Sequence, residues 1–203
     1  MKSLIIKPLM MLLIAVPLLV TGCQNRHTEF VRSVSNTLLS EKVGEYTDTL
    51  NSEMMLMAER GIVLERVKTI FSLVKADYMG HGGIFRNDMF DHNYCSKSWN
   101  NLLMAVRGKE SQTYTWFFEI EHWALAREPG FVTFDNFEVT TLVMEPRKFA
   151  SVTFTVYDAE SYTPGRIDLV YEDGRWVIDN FYDFKYKINV RQSMYDFLDN
   201  DII

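Results

Sequence analysis

The 203-residue chain carries 27 acidic and 21 basic residues, is 47% hydrophobic and 14% aromatic, and contains two cysteines. That is enough for one ordinary domain with its own core, since about 150 residues hide roughly 70% of their unfolded surface. The composition excludes a disordered or collagen-like chain. A net charge of −6 excludes a strongly basic nucleic-acid binder, and two cysteines exclude a disulfide scaffold.

Residues 1–22 contain no acid, place Lys2 and Lys7 at the front, and continue uncharged from Pro8 to Gly22. This pattern predicts a signal peptide, because the uncharged stretch is shorter than the roughly 20 residues a membrane-spanning helix needs. The string that follows, Val20-Thr21-Gly22-Cys23, resembles the lipobox of bacterial lipoproteins. The resemblance implies that Cys23 is the lipid attachment site and the first residue of the mature chain, anchoring it to a membrane. It further implies a location in the bacterial cell envelope. Gln24 follows the cysteine and no acid precedes Glu29, which favours the periplasmic side of the outer membrane. Loss of Lys2 and Lys7 leaves 19 bases against 27 acids, so the mature chain is not drawn to anionic lipid by charge. Cys95 is then a lone thiol, expected to be buried.

A tether over 23–28 leads into a predicted helical extension over 29–58, with Phe30, Val34, Leu38, Leu50, Met54 and Met57 at spacings of three and four and a weak point at Asp48–Ser52. The remaining domain, 59–203, opens with an amphipathic helix from Glu59 to Met79. Its predicted stripe is Ile62, Val63, Val67, Ile70, Phe71 and Val74, and Gly80-His81-Gly82-Gly83 stops it. Short helices are expected around Asn87–Asn93 and from the N-cap Ser96 to Arg107-Gly108. Tyr114–Ala126 has no clear period.

Beyond Glu128-Pro129-Gly130 the period changes to two. Strands are expected at Phe134–Met144, Ala150–Val156, Arg166–Glu172 and Arg175–Phe181, separated by turns at Glu145-Pro146-Arg147, Thr163-Pro164-Gly165 and Glu172-Asp173-Gly174. Short turns between neighbours require an antiparallel meander. Helices followed by strands make the domain α+β, with helices packed on a curved four-stranded antiparallel sheet. Asp183–Ile203 reads as a strand extension and a short terminal helix.

This element order, together with Phe90-Asp91-His92-Asn93-Tyr94-Cys95-Ser96 and Gly174-Arg175-Trp176-Val177-Ile178-Asp179-Asn180-Phe181, resembles bacterial lipoproteins with a nuclear-transport-factor-two-like cone. The resemblance spans roughly 59–181. It implies a curved sheet wrapped around a long helix, and a group whose members include dehydratases, isomerases and noncatalytic binding modules. Homodimers through the open sheet face are known among such relatives.

His122, between Glu121 and Trp123, is the first candidate for acid–base work; a rim or surface position is the simpler expectation. In a helix its neighbour is Glu119, whereas in a strand it points away from Glu121. Asp179 is a second candidate, with solvation or capping as its structural alternative, and Asp168 is treated in the same way. Asp88, Asp91, His92 and Cys95 offer too few nitrogen and sulfur donors for a transition metal, so no metal and no cofactor are expected. A ligand pocket at the mouth of the cone is expected from Trp116, His122, Trp123, Tyr157 and Tyr171. Dinucleotide, P-loop, HExxH, GxSxG and CxxC patterns are absent from the sequence. The resulting expectation is a noncatalytic, lipid-anchored module that binds a small ligand or an envelope protein. The alternative is a dehydratase- or isomerase-like enzyme with His122 or Asp179 as base.

Overall fold

The alternation of apolar and polar residues from Phe149 onward has one physical solution, strands with a buried face, and the helical stripe before them supplies the surface that covers it. The computed structural model describes residues 25–82, 89–115, 117, 121–126, 130–158 and 161–200, with side chains from residue 51. The expected signal segment, residues 1–22, and Cys23 lie outside the described residues, as do Asp88, Trp116 and Glu119. The chain divides into two units, Met1–Leu50 and Asn51–Ile203.

Helix α1 covers Asn25–Gly80, α2 Met89–Tyr94 and α3 Lys97–Thr113; strands β1 Thr133–Val143, β2 Phe149–Tyr157, β3 Tyr162–Glu172, β4 Arg175–Asp183 and β5 Ile188–Asn189 follow, and α4 Val190–Asp199 ends the described fold. The class is α+β, with one antiparallel sheet in the order β1-β2-β3-β4-β5. Two expectations about the helices need correction. The backbone is helical through Asp48–Ser52, since no proline interrupts it. Ile62 is 55% exposed, and the buried stripe is Val63, Val67, Ile70, Phe71, Val74 and Tyr78.

The sheet also differs from the expected one. It has five strands, because β4 continues to Asp183 and the chain turns back so that Ile188 and Asn189 pair with Asp183 and Tyr182. Asp183 Oδ1 accepts the Tyr186 N–H within that turn. Pro164 and Gly165 lie inside β3, opposite Thr155 and Phe154, and the β2–β3 turn falls between Tyr157 and Tyr162. Proline is tolerated there because Gly165↔Asp183 is the last β3–β4 pair. The Pro164 carbonyl accepts Phe184 N–H just beyond it, so the side of Pro164 that lacks an N–H faces the end of the ladder. The Asp173-Gly174 hairpin matches its sequence signal, with φ of +50° and +80° at the two turn residues.

Ala150, Val152, Phe154, Ile167, Leu169, Trp176, Ile178 and Phe181 are buried together with the α1 stripe. Phe71 is the centre of that contact. Its ring meets Trp123, Phe134, Phe137 and Phe154 at 5.9, 4.8, 5.5 and 4.8 Å, distances at which tilted rings attract beyond simple burial. Two polar ties fix the helix on the sheet: Arg60 donates to the Val139 carbonyl at 2.6 Å and the Trp176 indole donates to Glu59 at 2.8 Å.

Gly165 shows how closely the layers approach. A Cβ at that position would meet Leu125 Cδ1 at 2.3 Å and the Tyr182 carbonyl at 3.0 Å. Gly165→Ala is therefore expected to lower the unfolding free energy by about 1–3 kcal/mol in urea denaturation. Adding Leu125→Ala should show a favourable coupling, because it removes the nearer obstacle; strict additivity of the two changes would contradict this packing.

Candidate functional site

A six-residue helix such as α2 is too short to persist alone, and the side chains that hold it are also the ones with chemistry. Asp91 on α2 presents Oδ1 to three donors: His122 Nε2 at 2.8 Å, Trp99 Nε1 at 2.9 Å and the Cys95 thiol at 3.6 Å. His122 arrives on the turn 121–126, which Glu121 closes by donating its N–H to the Ala126 carbonyl at 2.7 Å. Its side chain is only 7% exposed. Aromatic rings enclose it, with Phe181, Trp99 and Trp123 at 4.9, 5.4 and 5.9 Å.

Burial opposes charge on both partners, yet the ion pair outweighs it. For His122 the desolvation that lowers its proton affinity is exceeded by the charge and hydrogen bond of Asp91, with Glu121 adding to them, so its pKa lies above the ordinary 6.5. For Asp91 desolvation is likewise exceeded by the charge of His122 and by hydrogen bonds from His122, Trp99 and Cys95, so its pKa lies below 3.8. Cys95 shifts the other way. Burial first, then the adjacent Asp91, push its thiol well above the usual range, which suits an inert, buried sulfur.

Asp179 stands apart from this pair. Register slips by one residue between Asp168 and Leu169, so Asp168 faces Asn180 and Leu169 faces Ile178, leaving Asp179 as the extra residue of a β-bulge. Ser96 Oγ donates to Asp179 Oδ1, and Arg191 reaches the same oxygen at 2.8 Å and the Asp179 carbonyl at 2.8 Å. Ser96 also caps α3 by accepting Trp99 N–H at 2.9 Å, and its own N–H donates to the Ile178 carbonyl. Asp179 therefore ties α3 and α4 to the edge of β4 from the middle of the strand, rather than capping its end. Asp168 is held by the Ser151 hydroxyl at 2.7 Å and by Arg166 at 3.1 Å.

Of the five side chains expected to line one pocket, the four among the described residues do not converge. Trp116 lies outside the described residues. Trp123 is fully buried and His122 is the buried ion-pair partner, not a rim residue. Tyr157 and Tyr171, 39% and 40% exposed, sit at opposite ends of the β2–β3 region, because Tyr157 faces Tyr162 at the start of β3 whereas Tyr171 faces Trp176 at its far end. Tyr157 accepts an amide hydrogen bond from Asn136 in the β1 bulge. Tyr171 lines a cavity of about 680 Å³ with Asp179, Ser98, Lys148, Val170 and Glu172. A second cavity of about 360 Å³, against α3, includes His92, Cys95, Lys97 and Arg175. Neither has His122 or Trp123 in its wall, so His122 and Asp179 share neither cavity. Among the described residues no group of three or more His, Cys, Asp or Glu side chains is arranged to hold a metal ion.

Sequence reasoning weighed Asp91 in a metal cluster and set it aside, and weighed His122 as a base against a rim or surface position, but missed that they pair, and it missed Arg191 entirely. Nothing local marks a pair 31 residues apart. The Ser96 N-cap was the one local signal pointing to the α2–α3 junction.

The pair imposes a pH window on stability. The raised pKa of His122 means its contribution is complete below about 6.5 and is lost as pH rises through the folded value; the depressed pKa of Asp91 means its contribution is lost as pH falls through its folded value, below 3.8. Asp91→Asn should cost about 3 kcal/mol near pH 6, since it leaves a buried imidazolium without its counter-charge. It should also flatten the loss of stability expected of the native chain as pH rises above 6.5. Denaturation profiles from pH 5 to 9 check both outcomes, and superimposable slopes for the two proteins would contradict the pairing. No family model, curated protein or solved structure matches this chain.

Proposed function

We propose that this chain is a lipid-anchored protein of the bacterial cell envelope whose α+β unit is a noncatalytic binding module. The observation that carries the reading is the commitment of both acid–base candidates to internal pairs, His122 with Asp91 and Asp179 with Arg191. A histidine buried against a carboxylate and absent from the wall of either cavity has no substrate within reach to act on as a general base. Two cavities beside α3 among the described residues are open to recognition, with Tyr171 and Lys148 on one and Arg175 and Lys97 on the other. Their volumes suit a small ligand or a few side chains of an envelope protein partner.

The helices-then-meander order, with the α1 stripe on the inner face of the sheet, supports a nuclear-transport-factor-two-like cone whose interior is filled by aromatic rings. The anchor rests on Lys2, Lys7, the uncharged run and Cys23. Among the described residues no helix is long and apolar enough to cross a membrane. Acyl chains on the mature N-terminus would hold the unit at the periplasmic side of the outer membrane, since two chains suffice for stable attachment.

Metabolic labelling with palmitate in a bacterial host tests the anchor. The native chain is expected to incorporate label and fractionate with membranes, and Cys23→Ala to lose both. Equal labelling of the two would overturn the anchored reading. Native mass spectrometry and envelope crosslinking test the module: a retained ligand or partner supports it, whereas a chain recovered bare in both overturns it.

A further inference from the structure

We infer that the turn between β4 and β5, Phe184-Lys185-Tyr186-Lys187, is a lipid-contacting tip that seats on the headgroup layer of an anionic phospholipid membrane. The inference rests on the anchored reading above and adds a second contact with the surface that the acyl chains reach. All four side chains of the turn are exposed, although two are aromatic: Phe184 is 45% and Tyr186 57% exposed. Exposed rings continue onto the start of β3, where Tyr162 faces Tyr157 with ring centres 6.4 Å apart. The turn is held in shape before any contact. Ile188 and Asn189 pair back onto Asp183 and Tyr182, the Phe184 N–H donates to the Pro164 carbonyl at 3.1 Å, and Asp183 Oδ1 accepts the Tyr186 N–H at 2.9 Å. Rings on a fixed turn offer apolar area to a partner with little ordering cost.

The composition of the turn selects lipid over protein. Protein interfaces are depleted of lysine, whereas at a membrane surface aromatic rings lie at headgroup level and lysine stems run beside them to reach phosphates. Lys185 Nζ lies 5.5 Å from the centre of the Tyr186 ring, which sets the two side by side in this way. Charge is complementary at this point even though the chain is acidic overall. Of the acids at this end of the sheet among the described residues, Asp183 is buried at 2% exposure. Asp158, in the adjacent β2–β3 turn, is taken by the Ser161 N–H at 2.8 Å and the Ser161 hydroxyl at 3.1 Å. Asp135 stands on β1, three strands from β4, a separation of about 14 Å that exceeds the screening length at physiological salt. Lys185 and Lys187, both exposed, therefore set the charge of the tip, and the acidity of the rest of the chain confines the contact to it.

Fluorescence quenching tests the contact, with the full chain bound to vesicles of phosphatidylethanolamine and phosphatidylglycerol whose acyl chains carry bromine. Phe184→Trp supplies the probe, and the native chain gives the background of Trp99, Trp123 and Trp176, which are at most 1% exposed. The added fluorescence of Phe184→Trp is expected to be quenched. Arg147→Trp, exposed at the opposite end of the sheet, is expected to show no quenching beyond the native background. Combining Phe184→Trp with Lys185→Gln and Lys187→Gln should weaken docking about tenfold or more and remove its dependence on phosphatidylglycerol. No quenching at 184, equal quenching at 147, or a signal untouched by the lysine changes overturns the tip. A chain that stays with the vesicles while position 184 is unquenched loses the tip and keeps the anchor. Quenching at 184 in a chain whose Cys23→Ala variant takes up as much palmitate as the native one keeps the tip and loses the anchor.

Discussion

The carboxylate of Asp91 is the point on which the helical half of the domain depends. A single oxygen receives N–H groups from Trp99 and His122 and the thiol of Cys95, so α2, the start of α3 and the turn 121–126 meet at one atom. Asn100 reinforces the junction by donating to the Asp91 and Ser96 carbonyls at 3.0 Å each. Buried donors that lose their acceptor retain their desolvation cost, and replacing this one acceptor would strand three of them. The rings around the pair exclude water and strengthen the attraction that remains.

Asp179 plays the matching part on the sheet. Along its first half the edge of β4 meets, among the described residues, only an isolated bridge from Cys95 to Ile178, where the Ser96 N–H donates to the Ile178 carbonyl, and the Arg66 side chain at Trp176. Along its second half the edge is closed by β5. The bulge at Asp179 falls between the two regimes, and Arg191 from α4 and Ser96 from the α3 cap both close on it. Both cavities border this junction, with Asp179 and Ser98 in one and Cys95 and Lys97 in the other. An edge strand needs some cover, and here it is side chains and a helix cap, which leaves recessed space beside them.

The sequence made the class and most elements legible because those signals are local. The stripe from Val63 to Val74, the Ser96 cap, the alternation from Ala150 to Val156 and the Asp173-Gly174 turn each occupy one short window. The misreadings have physical causes. Pro164-Gly165 carries turn chemistry, yet its strand has run past the end of its neighbour, where a missing N–H does no harm, and its glycine is required by Leu125 rather than by a turn. The fifth strand is two residues long and acquires meaning only from Tyr182 and Asp183 opposite. The site was the least legible part. His122 and Asp91, Asp179 and Arg191, and Arg66 and Trp176 are tertiary pairs, and no spacing in the sequence encodes them.

The central claim is that His122 is a charged structural partner of Asp91 rather than a group free to exchange protons in a cleft. An NMR titration of the His122 ring in the folded protein addresses it most directly. The account predicts a pKa above the ordinary 6.5, displaced downward when Asp91 is replaced by Asn, with both ring N–H groups protected from exchange below the transition. A pKa at or under 6.5, or one that is indifferent to Asp91, would contradict it.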